Sequence, residues 1–112
     1  MTVRVGVLGA TGAVGQRFVQ LIGRTPEFEI TAVTASSSSA GQTYDRAAKW
    51  RLDTEIPGDV AELTVTETSA GALPDDLDLV FSSLPSDVAA DVEPELCEAG
   101  YVVSSNSSND RL

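Results

Sequence analysis

Histidine is absent from the 112 residues, and Cys97 is the single cysteine. An internal disulfide framework is therefore impossible, and a Cys-His zinc site or histidine-based acid/base catalysis cannot be assembled from this stretch. Lysine is nearly absent as well. Lys49 is the only one, and seven basic residues face 17 acidic ones for a net charge of −10. Nucleic acid and anionic membranes are held by clustered Lys and Arg, so neither is expected as a partner. No apolar run approaches the roughly 20 residues of a membrane span. The start, Met1-Thr2-Val3-Arg4-Val5, lacks the basic region, apolar core and cleavage site of a signal peptide, so a cytoplasmic location is expected. The acidic surplus reads either as a solvated surface that aids solubility or as adaptation to a salty cytoplasm, where screening quiets self-repulsion.

What is present is a soluble, globular composition, 42% hydrophobic, at a length that suits one domain with one core. Val3-Arg4-Val5-Gly6-Val7-Leu8 is a short β-branched run that reads as a buried strand. The glycine turn Gly9-Ala10-Thr11-Gly12-Ala13-Val14-Gly15 follows and leads into a helix. Val14, Phe18, Leu21 and Ile22 are spaced to share one face of that helix, and Gly23 and Pro26 end it. Glu29–Ala35 alternates as a second strand, which completes one parallel, right-handed βαβ unit. A short helix is expected between Tyr44 and Trp50, and further strands over Leu63–Glu67, Leu77–Ser82 and Tyr101–Ser104. Between the last two, Ser86 is a candidate N-cap, and Pro94 predicts two short helices rather than one, the second stopped by Gly100. The alternation predicts an α/β fold: a Rossmann-type doubly wound parallel sheet, of which residues 1–112 are the incomplete N-terminal portion.

The glycine turn has a direct physical reading. Gly9 permits a tight exit from the strand, Gly12 lets the backbone approach a diphosphate without a Cβ, and Gly15 lets helix and strand pack closely. The helix then offers free N–H groups and the positive end of its dipole to the phosphates. The spacing is G-x-x-G-x-x-G, one residue off the usual dinucleotide fingerprint, and its placement between a strand and a helix carries the assignment. Enzymes that prefer NAD place Asp or Glu at the end of the second strand to take the ribose 2′-OH. Here Thr34-Ala35-Ser36 stands there with no carboxylate before Asp45. The four hydroxyls of Ser36–Ser39 suit a 2′-phosphate; the alternative is a plain polar loop.

Several of these segments together resemble one family. They are the Gly9–Gly15 turn, Ala35-Ser36 with Ser39-Ala40-Gly41, Phe81-Ser82-Ser83-Leu84-Pro85-Ser86, Glu93-Pro94-Glu95, and Ser105-Asn106-Ser107-Ser108 with Arg111. In order and spacing they resemble aspartate-semialdehyde dehydrogenase of the archaeal type, over essentially the whole chain. The resemblance implies an NADP-dependent enzyme that reductively dephosphorylates aspartyl-4-phosphate to aspartate 4-semialdehyde, on the route to lysine, threonine and methionine. In the family a cysteine forms a thioester and a histidine is the acid/base. Neither matches a residue here, so the catalytic and dimerisation domain is expected outside residues 1–112, with homo-oligomerisation through it. Cys97 matches no catalytic motif of the family and reads as a packing residue of a helix.

The resemblance further implies that Gly9, Thr11, Gly12, Ala13 and Val14 contact the diphosphate, and that Ser36, Ser39 and Ala40 line the 2′-phosphate pocket. Ser82, Leu84 and Pro85 would border the ribose groups, Asn106 the nicotinamide side, and Arg111 the phosphate of the small-molecule substrate, which a guanidinium grips bidentately. The family usually carries a basic residue within the serine stretch and a lysine after Ala-Gly; serine and Gln42 stand there instead. Related acyl-phosphate or acyl-CoA reductases, and a non-catalytic redox-sensing module, are the alternatives.

Overall fold

The computed structural model describes residues 3–35, 39–50, 52, 56, 58–68, 71, 73–74, 76–84 and 86–105. Five strands, β1 (Val3–Leu8), β2 (Phe28–Ala35), β3 (Thr66–Glu67), β4 (Leu79–Ser82) and β5 (Val103–Ser105), form one sheet in the order β3-β2-β1-β4-β5. All neighbouring pairs are parallel. The chain winds from β1 outward to β3, then returns past β1 to β4. Its direction therefore reverses between β1 and β4, the switch point where such sheets open a crevice at their carboxyl edge. Helices α1 (Ala13–Gly23), α2 (Tyr44–Ala48), α3 (Gly58–Ala61) and α4 (Ser86–Glu98) make the connections.

Successive strand residues feed opposite faces. Val5, Val7 and Val33 pack with Val19 and Ile22 of α1, Tyr44 of α2 and Val60 of α3 in one apolar cluster. Leu8, Ala32 and Val80 pack with Ala89 and Leu96 of α4 in the other. Helices thus cover both faces, which makes the sheet doubly wound, as the alternation predicted.

Four local expectations are corrected. The buried stripe of α1 is Gly15, Gln16, Val19 and Ile22, whereas Val14 and Leu21 are 45% and 50% exposed. Gly15 sets this rotation: a Cβ there would lie 2.7 Å from Ala10 Cα and 2.8 Å from Gly9 C, and against Gly9 O, all immovable backbone. Helix 86–98 is a single helix with Pro94 inside it, not two. The carbonyl that Pro94 leaves without a partner belongs to Ala90, an exposed position where water can serve it. Cys97 is exposed and does not pack, because α4 turns Ala89, Glu93 and Leu96 inward. The third strand shrinks to Thr66–Glu67, since Thr64 bridges antiparallel to Thr43 and residues 63–65 bond residues 41–44. The stop of α4 at Gly100 stands: Gly100 N–H donates to Cys97 O and Tyr101 N–H to Leu96 O, a Schellman closure.

The crowding at Gly15 gives a first prediction. Gly15→Ala is expected to destabilise the fold by about 3 kcal/mol or more, because the methyl group can only displace the β1–α1 turn. A denaturant midpoint unchanged from the parent protein would contradict this.

Candidate functional site

The turn after β1 is bound from behind through its carbonyls. Ser83, just past β4, directs its hydroxyl at the carbonyls of Leu8 and Gly9, at 2.8 and 3.1 Å, and its N–H donates to Leu8 O. Tyr44 Oη donates to Ala10 O at 2.6 Å from within the core. Gln16 Nε2, also buried, donates to Thr11 O at 3.0 Å and to Ala48 O at 2.7 Å. Ala10 N–H donates to Thr34 O of β2. Burial pushes the Tyr44 phenol well above its usual range, so it remains a hydrogen donor throughout the physiological pH range. Four neighbouring elements thereby fix the turn before any ligand arrives.

Within the turn the amides of Ala10 and Gly12 are also used, by Thr34 O and Gly9 O, and the first intrahelical bond is Gln16 N–H to Gly12 O, which leaves the amides of residues 13–15 at the start of the helix. Gly9 takes φ +69°, the left-handed conformation that turns the chain away from β1. Gly12 is the N-cap of α1, no side-chain hydrogen bond caps the helix, and its first turn holds no acidic residue. The opening amides of α1 and the positive end of its dipole are therefore unneutralised. In front of them there is room. A Cβ on Gly12 would meet nothing within 4 Å except Gly9 O at 3.7 Å, and Gly12 and Ala13 are exposed. This is an anion cradle at a helix N-terminus, and a dinucleotide's diphosphate fits it.

Gly9, Thr11, Gly12, Ala13 and Val14 are thus brought together at the carboxyl edge, with Leu84 close behind: its Cδ2 would lie 3.3 Å from a Cβ on Gly9. Ser82 sits at the end of β4 with its hydroxyl fully buried and unpartnered among the described residues. Ser39 and Ala40 stand apart, beyond the end of β2. Ser39 O accepts from Gln42 N–H, and Gly41 at φ +92° makes this a tight turn rather than a flexible linker. Ser36, Pro85, Asn106 and Arg111 lie outside the described residues. Sequence reasoning missed Gln16, Tyr44 and Ser83, the side chains that hold the turn. Gln16 left no signal of its own, since Arg17 and Gln20 are polar residues of the same helix and only the packing shows which of the three is buried.

Among the described residues no cluster of His, Cys, Asp and Glu could hold a metal ion. Within the same residues, no helix is long and apolar enough to cross a membrane.

Comparison with known proteins agrees with this geometry. Residues 4–112 match the family described as semialdehyde dehydrogenase, NAD binding domain. The chain is 52% identical over 110 residues to an aspartate-semialdehyde dehydrogenase of Methanothermobacter thermautotrophicus, covering 98% of this chain and 31% of that protein. It is 41% identical over 112 residues to the aspartate-semialdehyde dehydrogenase of Archaeoglobus fulgidus, covering all of this chain and 32% of that protein. A crystal structure of aspartate semialdehyde dehydrogenase with NADP from Candida albicans superposes with a TM-score of 0.91 at 45% identity, over 97% of this chain and 30% of that one. The chain spans about a third of the length of these relatives. It belongs to the family of semialdehyde dehydrogenase NAD-binding domains.

Proposed function

We propose that this chain is the cofactor-holding part of an NADP-dependent aspartate-semialdehyde dehydrogenase. The enzyme converts aspartyl-4-phosphate, NADPH and a proton to aspartate 4-semialdehyde, NADP⁺ and phosphate. The observation that carries the reading is the cradle, with its turn carbonyls bonded backward and the N-terminus of α1 uncapped and open. The bound cofactor supplies or accepts a hydride; the residues of this chain hold and orient it. The amides after Gly12 take the diphosphate, and Val14 offers an exposed apolar surface beside it. Ser36, Ser39 and Ala40 receive the 2′-phosphate; Ser82, Leu84 and Pro85 border the ribose groups, Ser82 through its backbone. Asn106 lies on the nicotinamide side and Arg111 binds the phosphate of substrate. The nucleophile, the acid/base and the contacts of a homo-oligomer belong to a second domain outside residues 1–112. A cytoplasmic location, lysine, threonine and methionine as end products, and a salt-rich setting for the acidic surface complete the reading.

Cofactor choice tests it. The absence of charge between Glu29 and Asp45 predicts tighter binding of NADPH than of NADH by calorimetry at about 0.15 M salt. Ser39→Asp is expected to shift the ratio of the two affinities about tenfold toward NADH, by offering a 2′-OH acceptor and repelling the phosphate. Equal or reversed affinities in the parent protein would overturn the NADP assignment.

A further inference from the structure

The end of β2 carries no carboxylate, but the strand beside it does. In the parallel register Ala35 is paired with Glu67 and Thr34 with Thr66, so Glu67 occupies the same row of the carboxyl edge, about 4.8 Å away between Cα atoms. Thr68 ties the two strand ends together: its hydroxyl lies 2.8 Å from Thr34 Oγ1 and 3.3 Å from Ala35 O. Glu67 is exposed. No lysine or arginine occurs from Ile30 to Asp45, so the loop itself contributes no cation against it. The charged groups nearest in the chain, Asp45, Arg46 and Glu62, line a separate concavity with Gly41, Gln42 and Thr43, and together they add one negative charge.

We propose that Glu67 sets the cofactor selectivity of this site by standing against the 2′-phosphate, so that the preference for NADP over NAD grows with ionic strength. The proposal rests on the nucleotide-binding reading above and goes beyond it. A site that takes a 2′-phosphate through Arg or Lys loses selectivity as salt rises, because screening weakens the attraction. A site that offers hydroxyls and one neighbouring carboxylate behaves oppositely. The 2′-phosphate brings nearly two negative charges, and at about 7 Å in water a carboxylate opposes them with roughly a fivefold affinity penalty at low salt. At about 1 M salt the Debye length is about 3 Å and the penalty falls below twofold. NAD brings only a 2′-hydroxyl, which can donate to the same carboxylate.

The experiment is equilibrium binding of 2′,5′-ADP and 5′-AMP to the complete protein at about 10 mM and about 1 M KCl, for the parent, Glu67→Gln and Gly12→Val. In the parent the ratio of affinities, 2′,5′-ADP over 5′-AMP, is expected to rise several-fold with salt. In Glu67→Gln it should start about fivefold higher at low salt and stay nearly flat. A parent ratio that falls with salt, or an equal ratio in parent and Glu67→Gln at low salt, overturns the role of Glu67 alone. Binding unaffected by Gly12→Val, or no binding of either nucleotide, overturns the nucleotide-site reading and this inference with it. Glu67 is exposed on an edge strand, so the glutamine variant is expected to melt with the parent.

Discussion

Gly12→Val is expected to reduce the affinity for NADPH by a hundredfold or more while leaving the fold in place. The backbone at Gly12 has φ −76° and ψ 172°, extended geometry that valine adopts readily. A Cβ there touches nothing nearer than Gly9 O at 3.7 Å, so packing does not resist it. The branched side chain instead fills the space in front of the uncapped amides of α1. Losing two charge-assisted hydrogen bonds to a diphosphate, at about 1.5 kcal/mol each, amounts to roughly a hundredfold. Circular dichroism and a thermal melt matching the parent, together with the loss of calorimetric binding, is the expected pair of results. The contrast with Gly15, three residues on, makes the test sharp. There the methyl group meets backbone and the fold itself suffers, whereas a side chain at Gly12 meets open space. A Gly12→Val protein that binds NADPH as the parent does would remove the turn as the site.

The packing role of Gly15 was legible in the sequence, because glycine spacing between a strand and a helix encodes close backbone approach directly. The strand–helix alternation was legible for the same reason: Val3–Leu8 and Leu77–Ser82 are short apolar runs that end at turns. What could not be read was anything decided by a second element. Hydropathy alone places Val14 and Leu21 with Phe18 and Ile22, but the contact of Gly15 with the carbonyl of Gly9 rotates α1 and leaves both exposed. Pro94 argues for a break on local grounds, yet α4 buries Ala89, Glu93 and Leu96 along one continuous face, which outweighs one missing hydrogen bond. Residues 63–65 have strand propensity, but they bond the returning loop 41–44 instead of β2. Glu67 is the instructive case for the site. It lies 32 residues beyond Ala35 in sequence and is its neighbour in register, so a search for the selectivity carboxylate confined to the end of β2 misses it.

Residues 1–112 alone are expected to show no dehydrogenase activity, whatever their affinity for cofactor. In the direction assayed, an aldehyde would have to be captured by an activated thiolate, with a base at hand, before its carbon could give up a hydride. The chain has no histidine and one thiol. That thiol is in the wrong place. The cradle lies at the carboxyl edge of the sheet, the edge where β4 ends and α4 begins at Ser86. Cys97 is eleven residues further along α4, about 16 Å toward the opposite edge at 1.5 Å per residue. Reacting atoms must come within about 3–3.5 Å of each other, and one end of a rigid helix cannot serve a site at the other. The substrate contact proposed for Arg111 would not change this, since a bound substrate with no nucleophile only waits. The assay supplies aspartate semialdehyde, phosphate and NADP to the purified 112-residue chain and follows reduced nicotinamide by absorbance. A rate no greater than that of the Cys97→Ser variant is expected. Turnover that disappears in that variant would make Cys97 the nucleophile and would place the chemistry at the end of α4 that faces away from the cradle.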